Sequence, residues 1–405
     1  MRLRCSECHH ELELHSRQLG CPRCGELLEL VPESSGLDPT DLKRLWLERR
    51  TSSDSRDLSG VWRFREFLPE YPADAVVTMG EGNTPIVRGN RSAEYAGLRN
   101  LWFKNLGWNP TGCFKDLGMT VGVTEARFVG AKVIACASTG NTSGSLAAYG
   151  SRAGLKSRVY LPAGKISVNK LAQTIDYGAE VVQVDGSFDA ALEAVLRSSA
   201  DEIYLLNSIN PFRIEGQKTT MFHLCEQFGW DPPDLVVLPG GNLGNTSAFG
   251  KAFEELRAAG LIDRVPKLVV VQAKGANPFS TLWRTQASEL TPVAHPETVA
   301  TAIRIGNPRS WKKALRGVKF TDGFVMDVTD EEIAEAKAVI GSDGIGCEPA
   351  SATTLAGLHK LRAENRIDRD ARVAAILTGH VLKDTDFIIK HRQQSEQEAS
   401  AVESK

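Results

Sequence analysis

From about residue 130 to residue 273, short apolar runs alternate with segments of helical length, and this alternation limits the fold more than any other feature. The apolar runs are AKVIACAS from Ala131, RVYLP from Arg158, AEVVQVDG from Ala179, EIYLLNS from Glu202, DLVVLPGG from Asp234 and KLVVVQA from Lys267. Between them stand NTSGSLAAYGSRAG, KLAQTIDYG, FDAALEAVLRSS, a helix over Gly216 to Phe228 and a helix over Asn245 to Ala259. Strands that are apolar along their whole length are buried on both faces, which is the condition of a mostly parallel sheet covered by helices. The expected class is therefore α/β. Such sheets bind ligands outside the carboxyl ends of their strands. The 405 residues are nearly three times the ~150-residue prior for one domain, so more than one domain is expected.

Composition removes several classes. Lys plus Arg numbers 48 against 50 for Asp plus Glu, a net charge of -2, which disfavours a surface for nucleic acid. No run approaches the ~18 apolar residues of a membrane span, and MRLRCSECHH lacks the apolar core of a secretory signal. The chain reads as cytoplasmic. In a reducing compartment, clustered cysteines more often bind metal than form disulfides.

Four of the eight cysteines lie within the first 24 residues. Cys5 and Cys8 form one C-x-x-C and Cys21 and Cys24 a second, so two tight turns can bring four thiolates to one tetrahedral ion. The expectation is a structural zinc ribbon over residues 1–30. Open alternatives are a redox dithiol pair, an emptied site, or His9 or His10 in place of one ligand. Residues 31–60 read as a linker with one short helix around Leu42 to Arg50. A catalytic region over 61–390 follows, and the polar tail 391–405 is expected to be disordered.

Three loops fall where the strand-end rule places a site. Ser138-Thr139-Gly140-Asn141-Thr142-Ser143 closes a strand and opens a helix, and its hydroxyls and free N–H groups suit a carboxylate. Gly240-Gly241-Asn242-Leu243-Gly244-Asn245 also joins strand to helix, with three glycines that let successive N–H groups face one anion. Neither a dinucleotide fingerprint nor a Walker lysine is present. The third, NPTGCFKDLG from Asn109, sets Lys115 near Phe114 and Trp108. Desolvation there would lower its pKa and let a neutral amine attack a carbonyl.

Together these segments resemble the threonine synthase family. The resemblance runs from about Gly80 to Asp386 through GEGNTPI, NPTGCFKDLG, ACASTGNTSGS, NSINPFRIEGQKT, LPGGNLGN, AIRIGNPRSW, EPASATTLAG and LTGHVLKD. It implies a pyridoxal 5'-phosphate (PLP) enzyme of fold type II, like the tryptophan synthase β chain. That fold has two open, mostly parallel sheet domains, here preceded by the small zinc ribbon, with a mobile subdomain at about 130–207. It implies a carbon–oxygen lyase acting on phosphates: O-phospho-L-homoserine and water give L-threonine and phosphate, the last step of threonine biosynthesis. Lys115 would be the Schiff-base lysine and proton shuttle, and Asn141 would bond the cofactor's 3'-oxygen. Gly240, Gly241, Asn242, Leu243, Gly244 and Asn245 would wrap its phosphate. Thr378 would face the pyridine nitrogen, a hydroxyl partner that leaves this nitrogen largely unprotonated. Ser138, Thr139 and Thr142 would take the substrate carboxylate, and Asn207, Ser208, Arg213 and Lys218 its phosphate. A homodimer is implied, without nucleic acid or membrane partners. Leu117, Cys113 and Val381 depart from the family pattern, and the departures loosen the substrate assignment. Other readings stay open at this level: a phosphoserine-using β-replacement enzyme such as cysteate synthase, a threonine or serine deaminase, or a zinc-ribbon adaptor with a vestigial fold.

Overall fold

A computed structural model describes residues 1–33, 36–138, 140–163, 168–185 and 203–390. Thr139, the expected helix FDAALEAVLRSS and the tail 391–405 lie outside the described residues.

The chain begins with a three-stranded antiparallel sheet in the order β2-β1-β3: β1 (Arg2–Cys5), β2 (Glu11–Leu12) and β3 (Leu28–Val31). Helices α1 (Pro39–Arg49) and α2 (Ser55–Leu58) follow. Helix α1 starts three residues before the expected Leu42. Asp38 accepts a hydrogen bond from Thr40 N at 2.7 Å and Pro39 occupies the first turn, a start signal that outweighs the later apolar residues.

Strand β4 (Ile86–Arg88), helix α3 (Asn90–Ala96), strand β5 (Asn100–Asn105) and helix α4 (Lys115–Phe128) come next. The chain then builds a four-stranded parallel sheet in the order β8-β7-β6-β9, from β6 (Val133–Ala137), β7 (Lys156–Pro162), β8 (Glu180–Val184) and β9 (Ile203–Leu205). Its described helices are α5 (Asn141–Ala153) and α6 (Val168–Asp176). The chain returns through α7 (Pro211–Gln227), β10 (Leu235–Pro239), α8 (Gly244–Ala258), β11 (Lys267–Ala273), α9 (Pro278–Thr285) and α10 (Trp311–Phe320). It closes with β12 (Phe324–Val328), α11 (Asp330–Ser342), α12 (Pro349–Ala363) and β13 (Arg372–Leu377). The larger sheet has the order β12-β11-β10-β13-β5-β4, parallel except for β4. Two open, mostly parallel sheets are thus present, as expected of fold type II.

Helix α7 starts at Pro211, five residues ahead of the expected Gly216, with Asn210 accepting from Phe212 N at 3.0 Å. Every residue from Pro211 to Cys225 is buried, so this helix has no polar face to mark its length by periodicity. It lies close against α4. A Cβ on Gly216 would stand 1.7 Å from the Leu117 carbonyl oxygen, and one on Gly118 would stand 2.9 Å from the Arg213 carbonyl oxygen. Backbone-to-backbone contact at this crossing brings the start of α4 beside Arg213.

The N-terminal sheet is docked rather than tethered. Leu3, Leu28 and Leu30 share one apolar core with Phe249 and Phe253 of α8 and Val318 of α10. Lys313 Nζ donates to Leu28 O at 3.1 Å, and Arg316 bonds Glu29 at 2.5 Å. The segment between the cysteine pairs reaches further. His15 Nδ1 lies 3.0 Å from Glu125 Oε2 on α4, Arg17 donates to Val129 O at 2.6 Å, and Leu19 packs on Ala135, Ala137, Tyr160 and Leu205 of the smaller sheet.

Candidate active site

Lys115 is the first residue of α4, and the loop before it is pinned from two sides. Phe114 N donates to Thr378 O at 2.9 Å, and His380 N donates to Gly112 O at 2.8 Å, so residues 112–114 run against the end of β13. Gly112 takes φ +80°, which a side chain would strain. Asp116, fully buried, accepts from Thr111 N (2.7 Å), Thr111 Oγ1 (2.6 Å) and Ser145 Oγ (2.6 Å), which ties this loop to α5. Burial pushes its carboxyl up to about 6 despite these bonds.

The Lys115 side chain is partly buried, with Nζ 4.0 Å from the centre of the Phe114 ring. Desolvation lowers its pKa to about 8, and the positive charge of Arg213 acts in the same direction. Trp108, expected to help desolvate the amine, is 65% exposed. Arg213 is itself buried. One guanidinium nitrogen donates to Leu206 O at 3.1 Å, Nε has no partner among the described residues, and burial lowers its pKa to about 10. Among the described residues no carboxylate forms an ion pair with Lys115 or Arg213. Two neighbouring cations, one partly and one fully buried and neither in an ion pair, define a site that favours anions.

The strand-end loops complete it. Ser138 follows β6 and accepts from Gly140 N at 3.3 Å, and no side chain caps α5, whose first residues are Asn141 and Thr142. Asn207 pairs with the backbone of Ala137, donating to its carbonyl and accepting from its N–H, both at 3.0 Å. These bonds use one of its two amide N–H donors on the strand end. Ser208 Oγ accepts from Asn242 Nδ2 at 2.6 Å, and Asn242 Oδ1 accepts from Arg309 N at 2.8 Å. That leaves the Ser208 hydroxyl proton free and locks the glycine loop in place. Leu243 adopts left-handed backbone at φ 62°, and α8 opens at Gly244 without a side-chain cap, with Asn245 buried behind it. A Cβ on Gly240 would meet Val270 Cγ1 at 2.7 Å. This is a backbone nest at a helix N-terminus, suited to a phosphate.

Lys218 is not brought to this place. Its Nζ lies 2.5 Å from Glu215 and 2.7 Å from Glu255 in a buried ion cluster with Lys251. Five residues beyond Arg213 on a helix is a turn of about 140°, so the two side chains leave α7 on different faces.

One residue was not singled out from the sequence. Glu348, 3% exposed, accepts from Thr378 Oγ1 and from Asn141 Nδ2, each at 2.8 Å. It links the larger sheet to α5. A Cβ on Gly379 would lie 2.6 Å from its carboxyl carbon, so the glycine makes room for it. In sequence Glu348 reads as an ordinary acidic residue ahead of Pro349 at a helix start, yet its side chain makes no capping bond.

The three departures from the family pattern sit in packing roles. Leu117 is 2% exposed in the core, and a Cβ on Gly346 would meet the Val381 methyl at 2.8 Å. Cys113 is buried, which raises its thiol to about 11 and keeps it neutral.

At the N-terminus, the sulfurs of Cys5, Cys8, Cys21 and Cys24 lie within 4.8 Å of one another, with Cys5–Cys24 at 3.4 Å and Cys8–Cys21 at 3.5 Å. A tetrahedron of thiolates at ~2.3 Å from zinc has edges of about 3.8 Å. Backbone N–H groups of Glu7, Cys8 and Arg23 approach the sulfurs at 3.4 Å.

Comparison with known proteins agrees with this geometry. Residues 77–379 match the family model described as pyridoxal-phosphate dependent enzyme. A threonine synthase of Methanocaldococcus jannaschii is 46% identical over 97% of this chain and 96% of its own length. One of Methanosarcina acetivorans is 44% identical over 96% and 93%. Among solved structures, Escherichia coli threonine synthase superposes with a TM-score of 0.72 at 18% identity, covering 96% of this chain and 90% of that one.

Proposed function

The chain belongs to the threonine synthase family of pyridoxal-phosphate dependent enzymes, and we propose that it converts O-phospho-L-homoserine and water to L-threonine and inorganic phosphate. The observation that carries the reading at this site is the pair Lys115, partly buried, and Arg213, buried, neither in an ion pair among the described residues, next to an uncapped glycine nest. The residues present suit the cofactor. Lys115 offers an amine that is partly neutral near pH 7, and residues 240–245 offer N–H groups at the start of α8 for a phosphate.

Bound PLP supplies an electron sink for carbanions formed beside the substrate's amino group. The chain does the rest. Lys115 holds the cofactor and moves protons at Cα and Cβ. Asn141 donates to the cofactor's 3'-oxygen, and Thr378 faces its ring nitrogen. Ser138, Thr139 and Thr142 with the start of α5 take the substrate carboxylate. Arg213 and Ser208 bind the substrate phosphate, and Asn207 acts by fixing the strand end next to them. Lys218 has no part in this assignment.

The four cysteines hold a structural zinc, with all four positions of a closed site filled by sulfur. The reading includes a cytoplasmic homodimer. No helix of the described residues is long and apolar enough to cross a membrane.

The test is turnover of phosphohomoserine by the PLP-loaded protein. Threonine and phosphate should form in equal amounts, and 2-oxobutyrate as the main product sinks the assignment in favour of a deaminase. Arg213→Ala should raise KM at least about tenfold, the scale of a lost charge-assisted hydrogen bond. Unchanged kinetics in that variant would remove Arg213 from the phosphate site.

A further inference from the structure

The hydrogen bonds around Glu348 have forced directions. A carboxylate has no proton to give, so Asn141 must turn its amide nitrogen, and Thr378 its only hydroxyl proton, toward Glu348. Ser351 Oγ accepts from Thr378 N at 2.8 Å and lies 3.0 Å from Thr378 Oγ1, so the Ser351 proton fills the gap between the two hydroxyls. Thr378 is left with a lone pair toward the rest of the site. Asn141 keeps a second N–H for the cofactor's 3'-oxygen.

A bare pyridine nitrogen is also an acceptor, so opposite Thr378 two lone pairs would face each other with no proton between them. A hydroxyl alone could turn and donate to the nitrogen. Here that turn would leave Thr378 Oγ1 and Glu348 Oε1, 2.8 Å apart, as two acceptors without a proton. We propose that Glu348 is a positioning residue that, acting through Thr378, makes seating of the cofactor ring draw one proton into the chain Glu348, Thr378 and ring nitrogen. The inference rests on the reading that Thr378 faces the ring nitrogen.

Other groups near Glu348 must be separated from it. Lys115 from α4 interacts with Glu348 through space, with Arg213 from α7 and Cys113 from the preceding loop acting on the same amine, and Cys347 precedes Glu348 in the chain. The thiols of Cys113 and Cys347, raised to about 11 and about 12, stay neutral, and Arg213 stays charged. Lys115, at about 8, titrates near neutrality and contributes its own proton change. Two variants remove that ambiguity. In Glu348→Gln the new amide donates to Thr378, whose proton is then free for the nitrogen, so no extra proton is needed. In Thr378→Val the link is cut while the charge of Glu348 near Lys115 is kept.

The experiment is calorimetric titration of the apoprotein with PLP near pH 7 in buffers of different ionisation heat, which counts protons exchanged on binding. The wild type should take up about one proton more than either variant, and the two variants should agree. Equal counts in all three proteins overturn the proposal. So does a loss confined to Glu348→Gln, because that result reports only the field on Lys115. If Glu348→Gln does not fold, Thr378→Val against the wild type makes the same comparison. A wild-type protein that binds no PLP overturns the cofactor reading and this inference with it, whereas binding with equal counts overturns this inference alone.

Discussion

Lys115 owes its reactivity to place rather than type. An ordinary lysine has a pKa near 10.4, whereas burial and Arg213 bring this one to about 8, which leaves about one molecule in ten with a neutral amine at pH 7. The rate at which the apoprotein takes up PLP should therefore rise about tenfold per pH unit below about pH 8 and level off above it. Stopped-flow absorbance from about pH 6 to 10 checks this, and a rate that keeps rising tenfold per unit well above pH 8 contradicts the lowered pKa. Lys115 stands out in the sequence through the company of the other segments that resemble one family, since a lysine in a helix-start loop alone is usually a solvated charge. Glu348 does not, because a single acid before a Pro-initiated helix has a bland explanation, and its two partners lie 207 and 30 residues away.

At the scale of elements, the crossing of α4 and α7 decides whether the site assembles. Gly216→Ala would drive a methyl into the Leu117 carbonyl, two residues from Lys115, and should destabilise the fold by about 3 kcal/mol or more through overpacking. Gly341→Ala on α11 is the control. It has nothing within 4 Å and should be neutral or stabilising by up to about 1 kcal/mol. Urea unfolding of both variants measures the contrast, and equal effects would mean that the crossing is loose. Both glycines look alike in sequence as single glycines within helices. What separates them is the helix laid across one and absent from the other, a tertiary fact that no local pattern carries. The start of helix α7 at Pro211 escapes the sequence for the same reason, since burial on every side removes the period-3.6 signal.

At the scale of the molecule, the N-terminal sheet touches both larger units. Leu3, Leu28 and Leu30 join the core around α8, while Leu19 packs on the smaller sheet. Each buried leucine contributes about 2 kcal/mol, so on the proposal that the four cysteines hold zinc, a sheet that loses this metal should weaken the whole chain. Removing zinc with a chelator, or Cys8→Ser, should lower the main melting transition by roughly 5 to 10 °C. A separate early melt with the main transition unmoved would show an independent module. By itself the sequence determined the α/β class, the cysteine cluster and the two strand-end loops, because each is written in neighbouring residues through periodicity, spacing or turn chemistry, and it marked Lys115 through the set of segments that resemble one family. Only the tertiary structure decided that Lys218 is spent in an ion cluster, that Asn207 serves a strand end, and that Glu348 joins Asn141 to Thr378. Those outcomes depend on which helix face and which distant strand meet, and these are set by the packing of the whole chain.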